Sequence, residues 1–294
     1  MKKSFSSIRL AVLRWFAGIW RFRTLRLGQL VFADVLPGTV LKRGFYGHEL
    51  HLDVSRANPQ KLLYLEGARF IPERHLLERI AKPGGHVVDV GANIGYYAIL
   101  LRSLVGTSGR VICFEPDPDN LRELETNISQ NAFNNVRIVN SAVGKKDGFV
   151  SFSCGLNGHV SSQGKLTVPI TKLDSFLDQT VDLLKIDVEG YEGDVLEGSE
   201  ETIRKWHPAI FLELHPLLET NHSHEDIVRL LKKHYDSIQF YELAEETNLW
   251  QKIQCRYFNV GAVRRIVLPT NAISDFMAGR RKRTLWIVCF GNCR

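Results

Sequence analysis

The stretch His86–Leu101, HVVDVGANIGYYAILL, constrains the fold of this chain more than any other. Five residues with the composition of a buried strand run into a turn containing Gly91 and Gly95, and helical apolar spacing begins at once. A strand that passes through a glycine turn into a helix is the opening unit of a parallel α/β sheet. In such a sheet ligands sit beyond the carboxyl ends of the strands, where the topology switches direction. Gly91 and Gly95 let the backbone turn tightly and a ligand approach it closely, and the following helix is expected to offer free amide donors at its N-terminus.

The rest of the chain sustains the α/β reading. RVICFEP follows as a second strand, then DPDNLRELETNISQNA as a helix whose Pro118 and early acids suit an N-terminus, then VRIVNSAVG as a third strand. FVSFSCG and LTVPIT alternate as an inserted pair of strands before VDLLKIDV. PAIFLEL, DSIQFYEL and RYFNVGAV bring the main sheet to about seven strands. The boundaries expected are a basic amphipathic extension over 1–44, one main domain over 45–265 and a basic tail over 266–294.

The ends differ in character from this centre. Arg9, Arg14, Arg21, Arg23 and Arg26 interrupt the apolar residues of the first segment, so no run reaches the ~20 residues of a membrane span, and no signal-peptide pattern is present. A basic helix of this kind either packs its apolar stripe on the domain behind it or lies on an anionic membrane surface with Trp15 and Trp20 at the boundary. The same tryptophans could instead be buried in a twin subunit, giving a homodimer. The run Arg280–Arg283 and a net charge of +6 come without any nucleic-acid-binding motif, so nucleic acid is not expected as a partner. Five widely spaced cysteines in a chain this large suit a reducing, cytoplasmic compartment, and Cys289 with Cys293 reads as a free pair.

Two features bear on the ligand of the turn. A dinucleotide fingerprint needs G-x-G-x-x-G, but here Asn93 occupies the place of the second glycine. Glu115 ends the second strand, where a carboxylate accepts both hydroxyl hydrogens of a ribose, which argues for an adenosine of either kind. The glycine pattern favours S-adenosylmethionine over a nicotinamide cofactor.

Five segments, VVDVGANIGYYAILL, VICFEPDPDNLRELETNI, VNSAVGKKDG, ITKLDSFL and VDLLKIDVEGYEGDVLEG, follow in the order and spacing of the FkbM-type methyltransferases, which the chain resembles from about Phe45 to about Val263. The resemblance implies a seven-stranded Rossmann-like class I methyltransferase sheet with helices on both faces, S-adenosylmethionine as cofactor, and O-methylation of a sugar, glycan or natural product. It also implies that Asp89, Gly91, Asn93 and Gly95 line the methionine side. Glu115 would hold the ribose, Pro116 and Asp117 would border the adenine, and Ser141 and Ala142 would meet its edge.

The chemistry is a displacement at a sulfonium methyl, in which positioning supplies much of the rate and a base near the acceptor hydroxyl adds to it. Lys185, Asp187 and Glu189 alternate along one strand, and Glu213 and His215 do so on the next, so the two sets converge if the strands are neighbours. Asp187, which borders both sulfonium and acceptor, or His215 is then the general base. Alternatively Asp187, Glu189 and His215 form a hard donor set for a divalent metal, although the reaction does not require one. A third reading is a salt-bridged cluster in which Lys185 neutralises its neighbours. Tyr46, His48, His51, Tyr64 and Glu73 suit a lid, and CGLNGHVSSQGK with His159 suits a substrate loop or a plain hairpin tip. An oxidoreductase binding a nicotinamide cofactor and a binding protein without catalysis are the alternatives.

Overall fold

A computed structural model describes residues 36–56, 60–61, 63–64, 71–155, 158–214, 222–243, 263–266 and 285–291. The chain divides into one unit of residues 1–74 with 244–262 and another of 75–243 with 263–294.

In the first unit β1 (Val40–Phe45) pairs antiparallel with β2 (His48–Asp53). Phe45 faces His48 across a two-residue turn, and Tyr46 (φ 52°) and Gly47 (φ 77°) both take the left-handed conformation such a tight hairpin needs. The expected boundary after residue 44 therefore falls inside a strand. Leu50, Leu52 and Val54 are buried, and Tyr46 accepts hydrogen bonds from Arg74 Nε and Nη2 at 3.0 and 2.6 Å.

The second unit, which begins within α1 (Ile71–Ile80), is built on one large sheet. Its elements run β3 (His86–Val90), α2 (Tyr96–Val105), β4 (Arg110–Phe114), α3 (Pro118–Gln130), β5 (Val136–Val139), β6 (Ala142–Val143), β7 (Gly148–Ser153), β8 (His159–Val160) and β9 (Leu166–Thr171). They continue with α4 (Leu173–Phe176), β10 (Leu183–Ile186), α5 (Glu192–Glu197), α6 (Glu200–Trp206), β11 (Ala209–Leu214), α7 (His224–Lys232), β12 (Ile238–Leu243), β13 (Val263–Ile266) and β14 (Leu285–Cys289).

The large sheet has the order β13-β12-β14-β11-β10-β3-β4-β5, parallel from β5 through β11, with β14 antiparallel between β11 and β12. This is the expected seven-stranded α/β sheet with β13 added at one edge. Alternate residues of the strands face opposite ways. Val88, Ile112, Leu184 and Ile210 bury one face against Leu173, Val195, Ile203 and Ile227 of the helices α4 to α7, while α2 lies on the other. Local chemistry agrees with the boundaries. Pro118 opens α3 behind Asp117, whose carboxylate accepts the amides of Asp119 and Asn120, and Ser223 and Asp226 close a reciprocal capping box on α7.

Two expectations about strands are corrected. VRIVNSAVG splits, because its last residues form β6 and join β9, β7 and β8 in a separate four-stranded sheet. The segment 266–294, expected as a basic tail, carries β14, and its Trp286, Ile287 and Val288 are almost wholly buried in the large sheet. RYFNVGAV, expected as the last strand, lies outside the described residues up to Val263, which opens β13. The extension 1–35, with Trp15 and Trp20, the run Arg280–Arg283, and Cys255 and Cys293 also lie outside them. Cys289 is a buried thiol in β14, pushed up to about 12 by burial. Among the described residues no helix is long and apolar enough to cross a membrane.

Candidate active site at the carboxyl ends of the parallel strands

The glycine turn and its neighbours form one crevice lined by both polar and apolar side chains. Gly91, Asn93, Glu115, Pro116, Asn120, Ser141 and Ala142 line one half. Asp187, Val188, Glu189 and Tyr191 line the other, and Phe152, Gly158 and Val160 of the small sheet close over it.

The turn is packed tightly. Gly91 (φ 83°) has Asp187 so close that a β-carbon there would sit 1.9 Å from its carbonyl oxygen, which requires glycine for space as well as conformation. Gly95 (φ 90°) caps α2, and a β-carbon on it would lie 2.9 Å from Leu124 Cδ1. All five amides of the turn donate inward: Gly91 and Ala92 to Phe114 O, Asn93 to Glu115 Oε2, Ile94 to Asn93 Oδ1, and Gly95 to Ala92 O. No amide of Gly91–Gly95 is thus left as a free donor, since Phe114 O and Glu115 take three and acceptors inside the turn take two. A pyrophosphate needs such donors. A cationic sulfonium does not, and the acids around the turn suit it.

Glu115 lies at the end of β4, 5% exposed, with Oε2 accepting Asn93 N at 2.7 Å and Oε1 accepting Asp117 N at 2.8 Å. Burial raises its pKa to about 7 against the pull of those two amides. Pro116 lines the crevice beside it, whereas the Asp117 carboxylate turns away to cap α3. Asn120, which sequence reasoning passed over, also lines the crevice, one helical turn after Pro116. Ser141 is buried at the crevice wall and its hydroxyl donates to Ala142 O at 2.7 Å.

The acids and Lys185 divide into two levels. Asp89 and Lys185 are register partners on β3 and β10, fully buried, with Lys185 Nζ 2.9 Å from Asp89 Oδ1. Neither lines the crevice. Burial pushes Asp89 upward despite the lysine, and its second oxygen Oδ2 has no hydrogen-bond partner. Burial pulls Lys185 down, but Asp89 and Asp187 outweigh it and leave the ammonium raised, so it cannot act as a base. Its Nζ also lies 3.8 Å from Asp187 Oδ2 and 4.7 Å from the centre of the Tyr97 ring.

Asp187 follows β10 at the crevice edge, partly exposed. The alternation expected through Glu189 stops there, because Glu189 (φ 54°) and Gly190 (φ 102°) are left-handed and the Glu192 carboxylate accepts Gly190 N at 2.9 Å. Glu189 still reaches the crevice by way of this loop. Glu213 stands opposite Trp286 across the β11–β14 pair, outside the crevice lining, and His215 lies outside the described residues. The grouping of metal-ligand atoms found among the described residues is a different one, Asp194, Glu197 and His222, and Lys145 Nζ sits against its two carboxylates at 3.1 and 3.5 Å. His159 is a strand residue of β8, paired with Ser153 and flanked by Gly158 and Val160 of the crevice roof. In the first unit His51 lies buried, 3.4 Å from Glu49, and Tyr64 and Glu73 are buried as well.

The pattern of the methyltransferase FkbM domain matches residues 89–238, about half of the chain. The hexuronic acid methyltransferase AglP of Haloferax volcanii is 28% identical over 154 residues, which cover 49% of this chain and 60% of that protein. The 2-O-methyltransferase NoeI of Sinorhizobium fredii is 25% identical over 159 residues, covering 45% of this chain and 64% of that one. The matched region is thus under two thirds of each relative's own length. Among solved structures, the FkbM methyltransferase from Methylobacillus flagellatus superposes with a TM-score of 0.44 and 15% identity, over 90% of this chain and 59% of that one.

Proposed function

The chain belongs to the FkbM methyltransferase domain family, and from that premise we propose that it transfers a methyl group from S-adenosylmethionine to a hydroxyl of a sugar. The observation that carries this reading is the crevice itself: a glycine turn with its amides consumed, flanked by Glu115 on one side and Asp187 on the other. Such a lining favours a cation bearing a ribose over a pyrophosphate, which sets a nicotinamide cofactor aside.

When bound, S-adenosylmethionine supplies an electrophilic methyl that moves to the acceptor oxygen as its bond to sulfur breaks, leaving S-adenosylhomocysteine. Glu115 accepts the two ribose hydroxyls on lone pairs that its backbone partners leave available. Pro116, Asn120 and Ser141 bound the adenine side. Asp187 takes the proton of the acceptor hydroxyl as the oxygen attacks, and Lys185 beneath it holds the carboxylate in place. Lys185 and Asp89 are therefore positioning residues. The reading of the acceptor as a sugar is supported by the names of the two relatives, a hexuronic acid methyltransferase and a 2-O-methyltransferase.

The test is transfer of label from methyl-tritiated S-adenosylmethionine to a panel of neutral hexosides and hexuronosides. The wild type should methylate at least one of them. Asp187→Asn should lower turnover by roughly 10²- to 10⁴-fold, the usual contribution of a general base, with S-adenosylhomocysteine still bound. Undiminished turnover in that variant would remove Asp187 from the proton transfer.

A further inference from the structure

Tyr191 lines the crevice on the Asp187 side, yet nothing in the proton transfer uses it. Its surroundings fix which part of the side chain the crevice receives. Burial, with the nearby Asp194 carboxylate adding to it, holds the hydroxyl above the ordinary phenol range, and Asp194 is 1% exposed and does not line the crevice. Lys145 Nζ holds that carboxylate at 3.1 Å, and His222 Nε2 lies 3.6 Å from it.

The ring packs against the small cluster of Ala142, Phe152, Val168 and Ile170. Gly144 makes room for it: a β-carbon there would stand 2.6 Å from Ile170 Cδ1 and 2.9 Å from Tyr191 Cε1. This glycine does not have a positive φ, so the space for Ile170 and the ring is the physical reason for a residue without a side chain. The half-buried ring, held by this packing, offers the crevice an aromatic surface beside Asp187 and Glu189.

We propose that Tyr191 is the seat of the acceptor, an aromatic face on which the C–H side of a pyranose ring lies while its hydroxyls face Asp187 and Glu189. A pyranose is amphipathic in the same sense as this wall, with C–H bonds on its faces and hydroxyls around its rim, and the positive edges of its C–H bonds meet the negative face of the ring. A rigid aromatic surface also orders the acceptor at low entropic cost, because packing against the small cluster has already fixed the side chain. The proposal rests on the reading of the acceptor as a sugar, and it names the subsite that would select one.

The experiment measures acceptor KM and kcat for the best hexoside of the panel, together with the Kd of S-adenosylhomocysteine, in wild type, Tyr191→Leu and Tyr191→Phe. Leucine keeps apolar bulk without an aromatic face, so KM should rise at least tenfold while the Kd stays within about twofold. Phenylalanine keeps the face and loses only the hydroxyl, so it should recover most of that loss. A wild-type KM in Tyr191→Leu, or equal damage from Leu and Phe, would overturn the seat while leaving sugar methylation in place. A wild type that binds S-adenosylhomocysteine but methylates no hexoside or hexuronoside would overturn the sugar reading, and the seat with it.

Discussion

Glu115 gives the account a signature in pH. In the free protein its carboxyl is buried and titrates at about 7, against an ordinary value of 4.5. The native state therefore keeps a proton that the unfolded chain has already released between these values. Stability from this group is complete below pH 4.5 and is lost as pH rises to about 7, a cost on the order of 3 kcal/mol. A ribose reverses the balance, since two hydroxyl donors favour the ionised form and draw its pKa down. Cofactor affinity should then increase with pH up to about 7 and level off above it. From pH 8 to pH 6 the Kd of S-adenosylhomocysteine should rise about tenfold, the factor expected when one proton must leave a group of that pKa. Glu115→Gln should bind roughly 10–100-fold more weakly at pH 8, having lost charged hydrogen bonds, and should show no slope. Isothermal titration calorimetry at pH 6, 7 and 8 on both proteins measures this directly. A flat wild-type profile, or a slope that persists in Glu115→Gln, would refute the reasoning.

Further expectations concern the buried pair and the late strand. Lys185→Met strips the fully buried Asp89 carboxyl of its partner, so thermal unfolding should show a loss of about 3–5 kcal/mol, much of it recovered by adding Asp89→Asn. Equal stability of Lys185→Met and wild type would mean that the pair is not formed. Trp286→Ala should cost about 3–5 kcal/mol because the indole is buried in the middle of the sheet, and a loss below about 1 kcal/mol would contradict the placement of β14.

The sequence disclosed those parts of the fold whose causes are local. The turn from β3 into α2 declares itself through Gly91 and Gly95, and both prove to stand at positive φ. Pro118 and the acids around it mark the start of α3 for the same reason. Glu115 and Asp187 were legible because each ends a strand, and strand ends are where a parallel sheet presents its functional groups. What stayed hidden depends on register between distant segments. Lys185 read as a residue of the site, but its partner across the β3–β10 pair is Asp89, 96 positions earlier, and that neighbour draws it into the interior. The strand Leu285–Cys289 was overlooked beside Arg280–Arg283, since five apolar residues announce a central strand only when the edges of β11 and β12 are known to be waiting. Three amides of the turn are engaged by acceptors, Phe114 O and Glu115, that arrive from the next strand and are invisible in the turn's own residues. Tyr191 carries no mark of its own in the sequence, and its meaning comes from Gly144 and Asp194 together.

The central claim is that this crevice receives a ribose-bearing sulfonium and refuses a pyrophosphate. Calorimetric titration of the purified chain at pH 8 with S-adenosylhomocysteine and with NAD tests it most directly. Saturable one-to-one binding of the first, weakened and without a pH slope in Glu115→Gln, and no heat from the second are the expected results. Binding of NAD that S-adenosylhomocysteine cannot displace would contradict the account.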